Sequence, residues 1–262
     1  MKKKILIIGK HSYIASNFKS YLADVHPDWN VDLCGASDGE WKTISFSGYN
    51  CILFLAAIVH KKEKGINYDI YRRVNCDFPV EVAKKAKEAG VEQFIFLSSM
   101  AVFGSKVEKI THKTPPNPDS FYSRSKYEAE QELEKLTDNC FYLAIVRPPM
   151  VYGKDCPGNY GRLKKLAQWT FIFPNTKNRR SMIEIGQLCK ELCNIVEKNL
   201  SGIFHVQDET YINTAQMVKQ IREEFGKNTW LISWMNWILV PLTKRNRLFK
   251  KVFGNLWYEK DK

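Results

Sequence analysis

Long apolar runs are absent from this chain of 262 residues. The stretch after Lys2, Lys3 and Lys4 is only ILII, far short of a signal-peptide core or of the roughly 20 residues a membrane span needs. Paired cysteine spacing is missing too. The seven cysteines, Cys34, Cys51, Cys76, Cys140, Cys156, Cys189 and Cys193, are odd in number and irregular in spacing. Cys189 and Cys193 fall one helical turn apart, but no second ligand pair of matching spacing completes a metal site. The expectation is buried free thiols, no metal, and a reduced, cytoplasmic setting. Zinc-finger spacings, RNP-type aromatic motifs, internal repeats and low-complexity segments are also lacking. The formal net charge of +12 is therefore not read as a sign of nucleic-acid binding. It leaves polyanionic ligands or an anionic membrane surface, with the N-terminal lysines and PLTKRNRLFKK as its most visible sources.

What the chain does have is alternation. KILII, NVDLC, CILFLAA, EQFIFLSS and FYLAIVRP read as five strands, and CILFLAA is apolar enough to be buried on both faces. Between them, YIASNFKSYLADV, DIYRRVNCDFPVEVAKKAKEAG and SRSKYEAEQELEKL repeat apolar residues at helical spacing. This order predicts an α/β fold with a Rossmann-type, doubly wound parallel sheet over residues 1–150. Beyond Pro149 the character changes, and residues 151–262 read as a smaller C-terminal substrate-binding lobe that exchanges elements with the first domain. Its GRLKKLAQW, EIGQLCKELCNIVEKNL and NTAQMVKQIREEFG read as helices, the last with Asn213 as N-cap. In such sheets ligands bind beyond the carboxyl ends of the strands, where this lobe would close.

Two features fall at those ends. Ser98 and Ser99 stand where the fourth strand runs out, and Tyr122 and Lys126 follow at i and i+4 on one helix face. A neighbouring ammonium favours the phenolate, so this tyrosine is expected to exchange protons closer to neutrality. The spacing alone is weak, since Tyr160/Lys164 and Tyr258/Lys262 share it. Position directly after a serine-tipped strand separates Tyr122 from the other two.

The ordered segments IIGKHSYIA, LFLAAIVH, VNCDFPVEVAKKAKEAGVEQFIFLSSMAVFG, YSRSK, VRPPMVYG and RSMIEI resemble the extended short-chain dehydrogenases, specifically the NAD-dependent epimerase/dehydratase family in its UDP-glucose 4-epimerase-like branch. The resemblance implies a catalytic set of Ser99, Tyr122 and Lys126. It implies a cofactor site from Gly9, Ser12, Tyr13 and Ile14, from Ala56, Ala57, Asn75 and Ser98, and from Tyr122, Lys126 and Pro148. It implies substrate contacts from Ser99, Asn159 and Arg180, with Arg179 close enough to exchange roles with Arg180. The implied partner is a nucleotide-diphosphate sugar, UDP-linked. A homodimer and a peripheral membrane contact through WMNWILVPLTKRNRLFKK are left open.

Departures from the family pattern bear on the cofactor. The loop G-x-x-G-x-x-G falls on Gly9, Ser12 and Ala15. Ala15 adds one methyl, whereas Ser12 must either bond a phosphate or hold it away. The acidic residue that usually ends the second strand is replaced by Gly35, with Asp32 before it and Asp38 after it. The choice between NAD and NADP therefore stays open. The chain ends at WYEKDK where relatives commonly continue, which suggests a trimmed lobe. The implied function is 4-epimerisation of a UDP-hexose for surface polysaccharide precursors. The alternatives are an NAD(P)H-dependent 4-keto reductase of a UDP-(deoxy)hexosamine and a non-catalytic cofactor-binding protein. Dehydration is disfavoured because Met100 and Ala101 stand where family dehydratases carry Asp-Glu.

Overall fold

Apolar strands buried on both faces build the centre of the protein. The computed structural model describes residues 2–36, 39–59, 67–234, 236–237, 243 and 246–260. The chain opens with β1 (Lys4–Ile8), α1 (Tyr13–Val25) and β2 (Asn30–Cys34), and the short α2 (Glu40–Thr43) precedes β3 (Cys51–Phe54). Helix α3 (Tyr68–Arg72) runs through a π-turn, Arg73–Asp77, into α4 (Phe78–Glu88). The turn widens the helix just where Pro79 deprives it of a backbone donor. Then come β4 (Gln93–Leu97), a 3₁₀ turn Met100–Phe103, β5 (Lys109–Ile110), α5 (Phe121–Glu134) and β6 (Tyr142–Val146). Ser120 and Ser123 form a reciprocal capping box that fixes where α5 begins.

After residue 150 the chain alternates between lobe and sheet. β7 (Met150–Tyr152), α6 (Gly158–Trp169), β8 (Ile172–Pro174) and β9 (Met182–Glu184) lie in the lobe. Helix α7 (Ile185–Glu197) and β10 (Gly202–Phe204) return to the sheet before α8 (Thr214–Glu224), β11 (Trp230–Ile232), α9 (Arg247–Phe253) and β12 (Trp257–Tyr258) complete the lobe. The main sheet has the order β10-β6-β4-β3-β1-β2, every pair parallel. One core cluster packs α1 and α7 on one face of it, and a second packs α4 and α5 on the other. The chain steps outward from β1 to β2 and then back to β3 on the far side of β1. That reversal opens a crevice above the carboxyl ends of β1 and β3.

The lobe is held by α6 against α8 and by three two-stranded ladders, β7–β9, β8–β11 and β5–β12. The last ties residues near 258 back onto the segment after β4, and Tyr258 is fully buried there. All seven cysteines are free thiols and six are buried. Among the described residues no cluster of groups suits a metal, and no helix is long and apolar enough to cross a membrane. Of the stretches singled out in sequence, Asp38 and much of WMNWILVPLTKRNRLFKK lie outside the described residues.

Candidate active site

The crevice is made by backbone approach. Gly9 follows β1 with φ +116°, and a Cβ built there would lie 3.1 Å from the Ala56 nitrogen. Only glycine fits this close crossing between the β1 and β3 loops. Such a cradle suits the narrow diphosphate of a dinucleotide, which is the fit expected of Gly9, Ala56 and Ala57. Ser12 adopts an ordinary extended backbone, φ −71° and ψ 135°, so its position demands no glycine. Its hydroxyl accepts from the Ile14 N–H at 3.2 Å and caps α1. The Ser12 side chain thus takes one of the amides at the helix N-terminus. Ala15 is fully buried against the sheet, where a larger side chain would not fit. Tyr13 leaves the loop sideways and donates to the Lys154 carbonyl at 2.7 Å, stitching the crevice to the lobe. Burial pushes its hydroxyl up to about 12, so it stays protonated.

Asn75 sits in the π-turn with no exposed surface. Its oxygen accepts from the Ile58 N–H at 2.8 Å, and its amide donates to the Ile58 carbonyl at 3.1 Å and to Ser125 Oγ at 3.0 Å. It staples the loop after β3 to α5 and so acts as a positioning residue. Ser98 is likewise committed inward, its hydroxyl donating to Glu130. Its expected cofactor contact is thereby limited to its backbone. Pro148 contributes a carbonyl that accepts from the Met100 N–H at 2.9 Å and holds the turn after β4.

That turn presents Ser99. Its oxygen accepts from the Ala101 N–H at 3.1 Å. Burial raises the Tyr122 pKa, and the neighbouring Ser99 hydroxyl offsets only part of that rise. The expected lowering by Lys126 is not the dominant effect. The Lys126 ammonium lies over the Phe96 ring at 4.4 Å and donates to the Leu97 carbonyl at 2.8 Å. Burial pushes it down to about 7, and the Glu130 carboxylate opposes that fall. Glu130 is gripped by Arg147, Nη2 to Oε2 at 2.6 Å and Nε to Oε1 at 3.1 Å. Tyr258 completes the corner, its hydroxyl donating to the Arg147 carbonyl at 2.8 Å. Glu130, Arg147 and Tyr258 were not evident from sequence. The Glu130 position on the helix face of Lys126, four residues on, is the one signal that could have found them.

Arg180 and Arg179 part company. The Arg180 guanidinium points inward, donates to the Gly254 carbonyl at 3.0 Å, and is pushed down to about 10 by burial. Arg179 faces outward between the Tyr211 and Trp257 rings, 5.0 and 4.7 Å from their centroids. A half-buried guanidinium bonded to a backbone carbonyl retains donors that suit a ligand anion, which separates Arg180 from the outward Arg179. Asn159 is exposed in the first turn of α6.

Fold and crevice define a dinucleotide-binding α/β protein of Rossmann type with a serine–tyrosine–lysine corner. Residues 5–170 match the NAD dependent epimerase/dehydratase family, and the chain belongs to it. It is 32% identical over 194 residues to a UDP-glucose 4-epimerase of Vibrio cholerae, covering 71% of this chain and 57% of that protein. It is 26% identical over 191 residues to an N-acetyl-alpha-D-glucosaminyl-diphospho-ditrans,octacis-undecaprenol 4-epimerase of Escherichia coli O157:H7, covering 70% of this chain and 57% of that protein. The chain thus spans somewhat over half the length of these curated relatives. Among solved structures it superposes on a dTDP-4-dehydrorhamnose reductase of Clostridium acetobutylicum with TM-score 0.73 at 19% identity, covering 88% and 83% of the two chains. A UDP-glucuronic acid 4-epimerase of Bacillus cereus in complex with NAD gives 0.72 at 16%, covering 98% and 89%. Those two likenesses speak to the fold.

A carboxylate does stand at the end of the second strand. Glu40, at the start of α2, accepts from the Gly35 N–H at 2.7 Å and pairs with Lys10 Nζ at 2.9 Å. Asp32 accepts from the Tyr49 hydroxyl at 2.7 Å. A carboxylate at the tip of β2 disfavours a 2′-phosphate, and neutralising it would lessen that repulsion. Glu40→Gln is expected to shift the ratio of NAD to NADP dissociation constants by about tenfold toward NADP, about 1.4 kcal/mol. Equilibrium titration of both cofactors checks this, and an unchanged ratio would remove Glu40 from the site.

Proposed function

We propose that this chain is an NAD(P)-dependent nucleotide-sugar 4-epimerase, acting on a UDP-hexose in the supply of surface polysaccharide precursors. The observation that carries this reading is the placement of Ser99 on the turn after β4, with the Lys126 ammonium of the Tyr122 helix anchored on the Leu97 carbonyl at the end of that strand. A bound nicotinamide supplies a hydride acceptor that can return the hydride. The chain's own groups manage the proton and the oxygen. The Tyr122 oxygen takes the proton of the C4 hydroxyl, and Ser99 holds that same sugar oxygen as it becomes a carbonyl. Lys126, when protonated, favours the phenolate. Arg180 holds the diphosphate, which leaves the hexose free to present its other face for hydride return. The residues after Ser99 are Met100 and Ala101, which offer no acid or base for eliminating water between C5 and C6. The two curated relatives carry 4-epimerase names, which supports C4 as the reacting centre. A soluble UDP-sugar and seven free thiols fit a cytoplasmic setting.

The test is to measure the cofactor carried by the purified protein and its action on UDP-glucose and UDP-N-acetylglucosamine. Retained NAD with interconversion of C4 epimers, and no net cofactor consumption, is the expected outcome. NADPH consumption with a 4-keto sugar and no epimer exchange would replace the reading with a 4-keto reductase. Failure to bind either cofactor at millimolar concentration would overturn the enzyme reading and the non-catalytic cofactor-binding alternative alike.

A further inference from the structure

The charge of this protein is not spread over it. Residues 156–183 contain six cations (Arg162, Lys164, Lys165, Lys177, Arg179 and Arg180) and no carboxylate. Residues 227–258 contain another six (Lys227, Lys244, Arg245, Arg247, Lys250 and Lys251) and again no carboxylate. The remaining 28 cations and 28 carboxylates cancel, so the whole net charge of +12 resides in these two segments. The N-terminal lysines, prominent in sequence, are balanced elsewhere. The fold then brings the two segments together, because β8 from the first pairs with β11 from the second.

That small ladder has one face in and one face out. Phe173 and Leu231 pack on the α8 core. The alternation of a strand therefore turns the paired Ile172 and Trp230 outward. The aromatic side chains around this face are in solvent: Trp169 is 86% exposed, Phe171 64%, Trp230 73%, Trp234 65% and Trp237 71%. Trp230 N–H donates to the Phe171 carbonyl at 2.8 Å, so the upper end of the ladder is one continuous surface. Cations border it. Lys165 lies one helical turn before Trp169 on α6, and Lys227 reaches the Gln168 carbonyl at 3.5 Å.

We propose that this tryptophan-rich face docks the protein on an anionic membrane surface, lying on the bilayer without crossing it. Indole rings favour the zone between headgroups and acyl chains. The cations of the two segments, Lys165 and Lys227 among them, match anionic headgroups. Leu166 and Ile172 add exposed aliphatic surface that suits acyl chains. The face belongs to the lobe and stands apart from the Ser99–Tyr122 corner. Docking would thus be separable from the reaction proposed above, and neither depends on the other.

The full chain is tested by co-sedimentation with vesicles of phosphatidylcholine alone and of phosphatidylcholine with phosphatidylglycerol. Binding to the anionic vesicles alone is expected, with a blue shift of tryptophan emission and quenching by brominated lipid. The combined variant Trp169→Ser, Trp230→Ser, Trp234→Ser is expected to lose at least about tenfold in vesicle affinity. Lys165→Glu with Lys227→Glu should weaken binding and its salt dependence, and cofactor binding should be unchanged in both variants. Absence of vesicle binding, or equal binding to neutral and anionic vesicles, overturns the proposal. So does a tryptophan-dependent dimer in ultracentrifugation without lipid, or RNA binding that the same substitutions abolish. Brominated-lipid quenching of the unaltered protein keeps the test valid should a variant fold poorly.

Discussion

Tyr122→Phe should lower the turnover number for epimer interconversion by about 10³-fold and leave cofactor affinity nearly unchanged. The size follows from general acid–base catalysis, which contributes about 10² to 10⁴ when a positioned group carries the proton. The substitution removes one oxygen and keeps the ring, so the packing of α5 is preserved. What disappears is the hydroxyl that, in the proposed reaction, receives the C4-hydroxyl proton beside Ser99. Ser99→Ala should cost less, because Tyr122 then loses a neighbouring hydroxyl but keeps its proton chemistry. The measurement is kcat with UDP-glucose for each variant, with NAD binding followed separately by titration. Full activity in Tyr122→Phe would refute the catalytic assignment, whereas equal loss of activity and cofactor binding would mean that the ring itself had been displaced.

Glu130→Gln should destabilise the fold by about 3–5 kcal/mol, the usual cost of breaking a buried ion pair from one side. Glu130 and Arg147 side chains are 2% and 6% exposed and bonded twice. Removing the carboxylate charge strands the guanidinium, takes an acceptor from Ser98, and withdraws the one anion that supports Lys126. Denaturant unfolding of the variant and the parent measures the loss, and a change under 1 kcal/mol would show that the pair is dispensable. Lys126 adds a pH signature to the same experiment. Its folded pKa of about 7 lies below the ordinary 10.5. Between those values the unfolded chain binds more protons than the folded one, so this lysine makes stability rise with pH. Its penalty is fully present below about pH 7 and gone near 10.5. Without Glu130 the pKa falls further, and the window should open at lower pH.

The strands and helices of the sheet were legible because each side faces a core, and burial leaves a periodic apolar trace. Helix α1 falls on YIASNFKSYLADV as read. The positions of Ser99, Tyr122 and Lys126 at a strand end and on the following helix were legible because backbone alone places them. Partnerships across the fold were not. Ser12 posed a choice between binding a phosphate and excluding it, and sequence did not reveal that its oxygen caps α1. Glu40 was missed because the acidic position was sought on β2, while the carboxylate arrives from the next helix. Arg179 and Arg180 are adjacent in sequence, and only packing decides which of them turns inward. The pairing of β8 with β11 unites two segments that are separated in sequence, so their common charge and exposed tryptophans stay invisible until the ladder forms.

Tyr258 links the end of the described chain to the catalytic corner through Arg147 and Glu130. A brace from β12 therefore reaches α5 and β6 through a single carbonyl, so loosening β12 should also loosen the Glu130–Arg147 pair at a distance.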